Sequence, residues 1–371
     1  MTARYIMIGG FLGAGKTTAM SAFGHWLKKH NLSCGLITND QAAGLVDSYL
    51  LRQDGFAVEE IAGGCFCCRF ESLKLASENL TEAIAPDVFL AEPVGSCTDL
   101  IATVSIPLQR LYGDRFAVAP LSVMIDPKRL QKRLGLISGR PFSEKVRYIF
   151  DKQIEEADIL VLNKIDLFEV NEIESLKYEI QKRWPTKTLF CVSVREDIGL
   201  ENWFEMLLDQ VWAPSPTMSL DYELYARGEA ALGWVNVLIH LNFGDEIDGN
   251  DFLLTFARLL HLELQKLNAL IAHLKMTLDN VGTPAKIASL SVIDDDGQIE
   301  VRDRLDSGIE NGTLLVNLRA QIDDDIPPHH LTNCIELAFK GLNRSNLIFS
   351  MSQCQNFRPA PPVPTHRIMI E

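Results

Sequence analysis

Eight residues near the start of the chain narrow its possible folds more than any others: Gly10-x4-Gly15-Lys16-Thr17, within GGFLGAGKTT. This is the phosphate-loop pattern, and it has that meaning only between a strand and a helix. Both flanks are present. Residues 4–8 (RYIMI) read as an apolar strand, and residues 16–30 as a helix with Met20, Phe23 and Leu27 on one face. Chemistry explains the spacing. Gly10, Gly13, Ala14 and Gly15 let backbone N–H groups turn inward around phosphates. Lys16 sets a point charge at the β/γ-phosphates, and the Thr17 hydroxyl suits Mg²⁺. Thr17 and Thr18 open a helix whose N-terminus favours an anion.

Beyond this helix the chain alternates strand and helix. Strands are expected at 34–38, 56–61, 87–91, 117–125, 158–162 and 188–192, and helices at 70–84, 143–157, 169–183 and 199–211. The strands are nearly continuously apolar, which predicts an α/β fold whose parallel sheet is covered by helices on both faces. APSPTMSL at 213–220 breaks the pattern and serves as a linker between a domain at 1–212 and another at 221–356. The second domain is expected to open with a helix at 221–233 and a strand at 234–242. A long helix at 250–278, strands at 285–293 and 313–322, a helix at 329–342 and a strand at 347–354 come next. That β-α-β-β-α-β order is the ferredoxin-like α+β arrangement. A Pro-rich tail, 357–371, is expected to run extended along a surface.

Base choice is written at 158–167, DILVLNKIDL, where an apolar strand delivers Asn163-Lys164-x-Asp166 to its carboxyl end. The motif resembles the NKxD element of GTPases, which implies that the carboxylate, here Asp166, accepts two N–H bonds from a guanine edge that adenine cannot offer. After the next strand, Ser193 is the one residue that fits a base-stacking loop. Glu92 ends a strand in EPVG and can position water or magnesium, while Gly95 can offer its amide to a γ-phosphate. Asp40, at the end of the second strand in TND, is the other acidic candidate. Lys16, Asp40 and Glu92 are therefore the catalytic candidates. No residue stands out as an arginine finger, which implies slow intrinsic turnover.

Charge and hydropathy exclude other classes. With net charge −14 and pI about 5.1, the chain of 371 residues repels nucleic acid and anionic lipid. No apolar run approaches the ~20 residues that span a bilayer, and a cleaved leader would destroy the phosphate loop. These features predict a cytoplasmic protein with reduced thiols.

The thiols pose the sharpest question. GGCFCC puts Cys65, Cys67 and Cys68 within four positions, behind two glycines and between Asp40 and Glu92. That is too tight for a zinc finger. Thiolates bind soft or borderline ions such as Zn²⁺, Cu⁺ or Co²⁺. Three thiolates leave a fourth position, for which Cys97, Glu60, an exchangeable water or a partner's ligand are the candidates. Phe66 is apolar filler. Cys34, Cys191, Cys334 and Cys354 read as core residues, and His240, in its apolar strand, as a core or half-buried residue. His261 and His273 read as residues on the polar side of the long helix, and His329-His330 as a polar helix start.

Together, Gly10–Thr17, GGCFCC, EPVG and NKID resemble the CobW-like class of P-loop GTPases, which includes the urease and hydrogenase maturation GTPases. The resemblance covers residues 4–211 closely and the rest loosely. It implies a GTP-driven metallochaperone or metal-insertion role, with GTP/GDP and Mg²⁺ at the phosphate loop. It makes the CxCC turn the site of a transition metal, Zn²⁺ or Co²⁺. The client would be a metalloprotein or cobalamin-dependent enzyme, and the class admits a homodimer. A second reading is a GTP-gated protein chaperone with structural or redox-sensing cysteines. A third, a small-molecule kinase, has no visible acceptor site. The chain lacks the His-rich stretch of many relatives, which argues against metal storage.

Overall fold

The computed structural model describes residues 2–39, 46–281, 287–294 and 296–371; Asp40 lies outside the described residues. The chain forms two compact units. One is built from the chain ahead of residue 44, Asp47–Tyr225 and Pro361–Glu371, the other mainly from Ala226–Ala360. No helix among the described residues is long and apolar enough to cross a membrane.

The first unit runs β1 (Ala3–Gly10), α1 (Lys16–Lys29), β2 (Cys34–Asn39), α2 (Val46–Gln53), β3 (Ala57–Ile61), α3 (Phe70–Ile84) and β4 (Val88–Glu92). A π turn at Ile101–Ser105 leads into α4 (Ile106–Tyr112). Next come β5 (Phe116–Val118), β6 (Ser122–Ile125), α5 (Pro127–Leu134), α6 (Glu144–Glu156), β7 (Ile159–Leu162), α7 (Val170–Arg183), β8 (Thr188–Cys191) and α8 (Leu200–Asp209). The strands form one sheet in the order β3-β2-β4-β1-β6-β7-β8, with β5 also on β1, and every pairing is parallel. Alternate residues of β1 explain why both faces need helices. Ile6 and Ile8 join a core with Phe23 and Leu27 of α1 and Trp203 and Phe204 of α8. Tyr5 points the other way and packs against Phe89 and Phe116. The strand expected at 117–125 is two strands. Pro120 lacks the N–H that a continuous ladder needs, so β5 pairs with the start of β1 and β6 with its end.

The second unit continues from α9 (Tyr222–Ala230) with β9 (Leu232–Ile247), α10 (Gly249–Lys266), β10 (Leu270–Asn280), β11 (Ala288–Val292), β12 (Ile299–Asp303), β13 (Ile309–Gln321), α11 (His329–Gly341) and β14 (Ile348–Phe357). Its antiparallel sheet has the order β12-β11-β10-β13-β9-β14. The four strands β10-β13-β9-β14 with α10 and α11 are the ferredoxin-like arrangement, and β11 and β12 extend one edge. The helix expected to reach residue 278 stops at Lys266. Asn268 takes a left-handed φ of 60° and turns the chain into β10. LIAHL, which opens β10 at Leu270, is a mostly buried strand with His273 on it, where an apolar run alone cannot distinguish strand from helix. Alternate β9 residues, Val235 to Phe243, meet Phe256 and Leu260 of α10 and Ile335 and Phe339 of α11 in the core. His240, expected in the core or half-buried, is exposed and hydrogen-bonds Ser352; of the cysteines expected in the core, Cys334 is buried, Cys34 and Cys191 are half-buried and Cys354 is exposed.

Candidate functional site

A parallel sheet puts all its strand-to-helix loops at one edge, where ligands bind. The phosphate loop follows β1, Asn39 ends β2, GGCFCC follows β3 and Glu92 ends β4. Asp126 follows β6, Asn163 follows β7 and Ser193 follows β8.

In the phosphate loop, Gly10, Gly13 and Gly15 have φ of 129°, 80° and 98°, a region that disfavours any Cβ. A Cβ on Gly15 would strike the Asn163 amide, and one on Gly10 the Met124 backbone. The loop is thus seated by glycine against its neighbours. Lys16 and Thr17 are buried. Lys16 Nζ lies 3.4 Å from the Phe11 carbonyl and 3.8 Å from Glu92 Oε1. Thr17 Oγ1 donates to the same Glu92 oxygen at 3.2 Å. This hydroxyl and carboxylate, side by side, make the all-oxygen ligand set that suits Mg²⁺. Gly95 sits against Leu12 of the loop so closely that a Cβ would meet Leu12 Cδ2 at 2.7 Å. The structure therefore brings Lys16, Thr17, Glu92 and Gly95 together.

On the base side, buried Asn163 spans two loops. Its Nδ2 donates to the Ala14 carbonyl at 3.0 Å, and its Oδ1 accepts from the Val194 N–H at 3.1 Å. Lys164 adopts φ 61° and pairs with Asp126 at 3.2 Å. Burial alone would raise the Asp126 carboxyl, but Lys164 and Arg129 outweigh it and hold the group below its usual range. Asp166 is exposed in the short helical turn Ile165–Leu167. Ser193 is buried, and its Oγ accepts from the Glu196 N–H at 3.1 Å, so its loop is held by its own contacts.

The cysteine turn is tight because Gly63 and Gly64, at φ 80° and 149°, let the chain fold under Arg69. The N–H groups of Cys68 and Arg69 both return to the Cys65 carbonyl, at 3.0 and 2.9 Å. Cys65 Sγ lies 2.6 Å from Cys67 Sγ and 3.3 Å from Cys68 Sγ, and Cys67 and Cys68 are 3.7 Å apart. The three sulfurs lie within 4.8 Å of one another, a group that includes neither Cys97 nor Glu60. Cys97 is nevertheless close enough for its thiol to hydrogen-bond both Cys65 and Cys67, whereas Glu60 stays half-buried on β3. Hydrogen bonds from Cys67, Cys68 and Cys97 push the Cys65 thiol down. The same sulfur contacts with Cys65 push Cys67 up, and Cys68 up to about 11. Sulfurs gathered this closely, with one thiol pushed down by its neighbours, are a ligand set for a soft cation.

Several contributors carried no sequence signal because their partners are remote. Asn39 Nδ2 donates to the carbonyls of Ile61 (3.0 Å) and Gly64 (2.7 Å), tying the end of β2 to the cysteine turn. Gln153 on α6 donates to the carbonyls of Gly95 (3.0 Å) and Cys97 (2.8 Å). Arg129 on α5 lies with its guanidinium 4.9 Å from the Phe11 ring centre. Only Asp126 had a readable cue, an acid directly after an apolar strand.

A family model described as the CobW/HypB/UreG nucleotide-binding domain matches residues 4–190. Among curated proteins, the zinc chaperone YeiR of Escherichia coli K12 is 30% identical over 164 residues, 43% of this chain and 46% of its own length. The zinc chaperone CobW of a Sinorhizobium species is 24% identical over 200 residues, 49% of this chain and 56% of its own. The chain thus spans about half the length of the curated relatives it matches. Among solved structures, Zn(II)-bound YjiA GTPase of E. coli covers 92% of this chain and 99% of its own at 16% identity and a TM-score of 0.38. HypB of Helicobacter pylori in complex with nickel covers 56% and 86% at 19% identity and a TM-score of 0.41.

Proposed function

Because the chain belongs to the CobW/HypB/UreG family of P-loop GTPases, we propose that it couples GTP binding and hydrolysis to the uptake and release of a transition metal at Cys65, Cys67 and Cys68. One observation carries this reading. The loop from Glu92 to Cys97 touches Lys16 and Thr17 with its first residue and the cysteine turn with its last. A change in what Lys16 and Thr17 hold therefore reaches the thiols through six residues, Glu92 to Cys97. Asn39 supplies a second path, from the end of β2 to Gly64.

On this reading Gly10, Gly13, Ala14, Gly15 and Thr18 cradle the nucleotide phosphates, and Asp166 selects guanine. Asn163 holds the two loops in register. Lys16 neutralises the β/γ-phosphates, and the Gly95 amide faces the γ-phosphate. Thr17 and Glu92 would hold Mg²⁺, which when bound supplies charge neutralisation to the phosphates. Glu92 also orients the attacking water. Asp40 remains a candidate from sequence alone. Loss of the γ-phosphate releases the Glu92–Cys97 loop and moves the Cys97 thiol with respect to the other three. Cys97 is the first candidate for the fourth ligand, with Glu60, an exchangeable water or a partner's ligand as the alternatives. The zinc chaperones among its relatives make Zn²⁺ the first cargo to test, with Co²⁺ as its spectroscopic stand-in, and a metalloprotein as the client.

The test is GTP hydrolysis and cobalt absorption on one reduced preparation. Wild type should release phosphate slowly and develop a thiolate-to-cobalt band. Cys65→Ser/Cys67→Ser/Cys68→Ser should keep nucleotide binding and lose the band. A band that survives the triple substitution would rule the turn out as the metal site.

A further inference from the structure

Residues 361–371 return to the first unit and lie across the cysteine turn. Their sequence, PPVPTHRIMIE, explains the shape. Prolines at 359, 361, 362 and 364 hold the backbone extended, and between Ala360 and Thr365 they leave one N–H, that of Val363. Exposure alternates strictly along the segment. Pro362, Pro364, His366, Ile368 and Ile370 are half-buried and the residues between them exposed, as expected of an extended chain with one face down.

Its contacts fall on the cysteine turn, on the segment behind Cys97, and on Thr217 and Tyr222, where the Ile370 N–H donates to Thr217 Oγ1 at 3.0 Å and its carbonyl accepts from the Thr217 N–H at 3.0 Å. The single Val363 N–H donates to Cys68 Sγ at 3.2 Å. The Thr365 N–H donates to the Cys67 carbonyl at 2.8 Å and its hydroxyl to the Cys68 carbonyl at 3.3 Å. The His366 ring meets Phe70 edge-on at 4.8 Å. Two residues beyond Cys97, Arg367 Nε donates to Asp99 Oδ2 at 2.7 Å, and its guanidinium lies 5.2 Å from the Tyr222 ring centre. The Ile368 N–H donates to the Ala102 carbonyl at 2.8 Å. Asp99 is 1% exposed with φ 66°, so Arg367 supplies the countercharge to a buried carboxylate in a left-handed turn.

We propose that residues 361–371 are a strap that clamps the Cys65–Cys68 turn to the segment carrying Cys97, and that the site takes up or gives up its ion only when the strap lifts. This rests on the metal reading above and adds a gate to it. Val363 holds the Cys68 sulfur through its N–H. Arg367 is the latch on the Cys97 side. A strap stiffened by proline loses little entropy on docking, so few contacts suffice to hold it.

The test uses the full chain, reduced and free of oxygen. Val363→Pro removes the one N–H and keeps the extended backbone; Val363→Ala keeps the N–H and serves as control, since the Val363 side chain is 75% exposed. Arg367→Gln opens the latch. Labelling of Cys68 by a thiol reagent is followed by peptide mass spectrometry on metal-free protein, and zinc release is followed with a chromophoric chelator. Val363→Pro and Arg367→Gln should each accelerate both rates roughly tenfold, about the effect of losing one hydrogen bond, with Val363→Ala unchanged. Deleting 361–371 should accelerate them further; if that variant does not fold, the point variants decide. Labelling or release within twofold of wild type in both point variants overturns the strap. A wild type that takes no zinc overturns the metal reading instead, and the labelling rates still decide the strap.

Discussion

Replacing Asn163 tests how this site is assembled. The side chain is 3% exposed and makes two hydrogen bonds, to the Ala14 carbonyl and from the Val194 N–H. Asn163→Ala leaves both backbone groups buried without a partner. Each such group costs roughly 1–3 kcal/mol, so the variant should lose on the order of 2–5 kcal/mol. Asn163→Asp separates the two effects. It keeps an acceptor for Val194 but turns a carboxylate oxygen toward the Ala14 carbonyl, inside the phosphate loop. Its nucleotide affinity should therefore fall further than its stability. Urea unfolding gives the first quantity and titration with a fluorescent GDP analogue the second. Asn163→Ala should bind GDP at least tenfold more weakly than wild type. If both variants stay within about 1 kcal/mol and twofold of wild type, Asn163 does not hold the loops together.

Three further outcomes are expected. Asp166→Asn exchanges two acceptors for one acceptor and one donor, so GTP affinity should fall at least a hundredfold while xanthosine triphosphate, with a carbonyl at position 2, gains; competition binding reads both. Cys97→Ser should weaken zinc at least tenfold in the GTP-analogue state; unchanged affinity removes Cys97 from the ligand set. Burial, reinforced by Asp99, raises the Glu156 carboxyl to about 8 from 4.5. Between those values the folded chain keeps a proton that the unfolded chain has lost, so stability falls as pH rises, by about 1.4 kcal/mol per unit. Glu156→Gln should flatten that slope between pH 6 and 8, read as denaturation midpoints; an unchanged slope contradicts it.

How much was legible depended on how local each signal is. Strands, helices and the phosphate loop declare themselves within ten residues, so β1, α1, β4 and β7 fall where their apolar runs put them. The end of α10 did not, because Asn268 and an apolar strand look like helix until the sheet supplies the partner of β10. The strand expected at 285–293 is present as β11 but extends the edge with β12, because β10 takes the place assigned to it, whereas the Pro120 break had a local cue in the proline itself. At the site, the glycines, Lys16, Asn163 and the cysteines could be named from spacing. Asn39, Gln153 and Arg367 could not, since each acts on a loop remote in sequence and nothing near them marks the partner. The contact of Cys97 with Cys65 and Cys67 belongs between these cases, visible as a thiol behind Glu92 but meaningful only once the sheet edge brings it to the turn.

Everything proposed for the metal depends on nucleotide state changing the affinity of the cysteine turn. Anaerobic competition for zinc and cobalt, on reduced protein with GDP and then with a non-hydrolysable GTP analogue, decides whether it does. The expected result is a cysteine-dependent site whose affinity differs at least tenfold between the two, roughly 1.4 kcal/mol of coupling through the Glu92–Cys97 loop. Equal affinity in both states would contradict nucleotide-driven uptake and release.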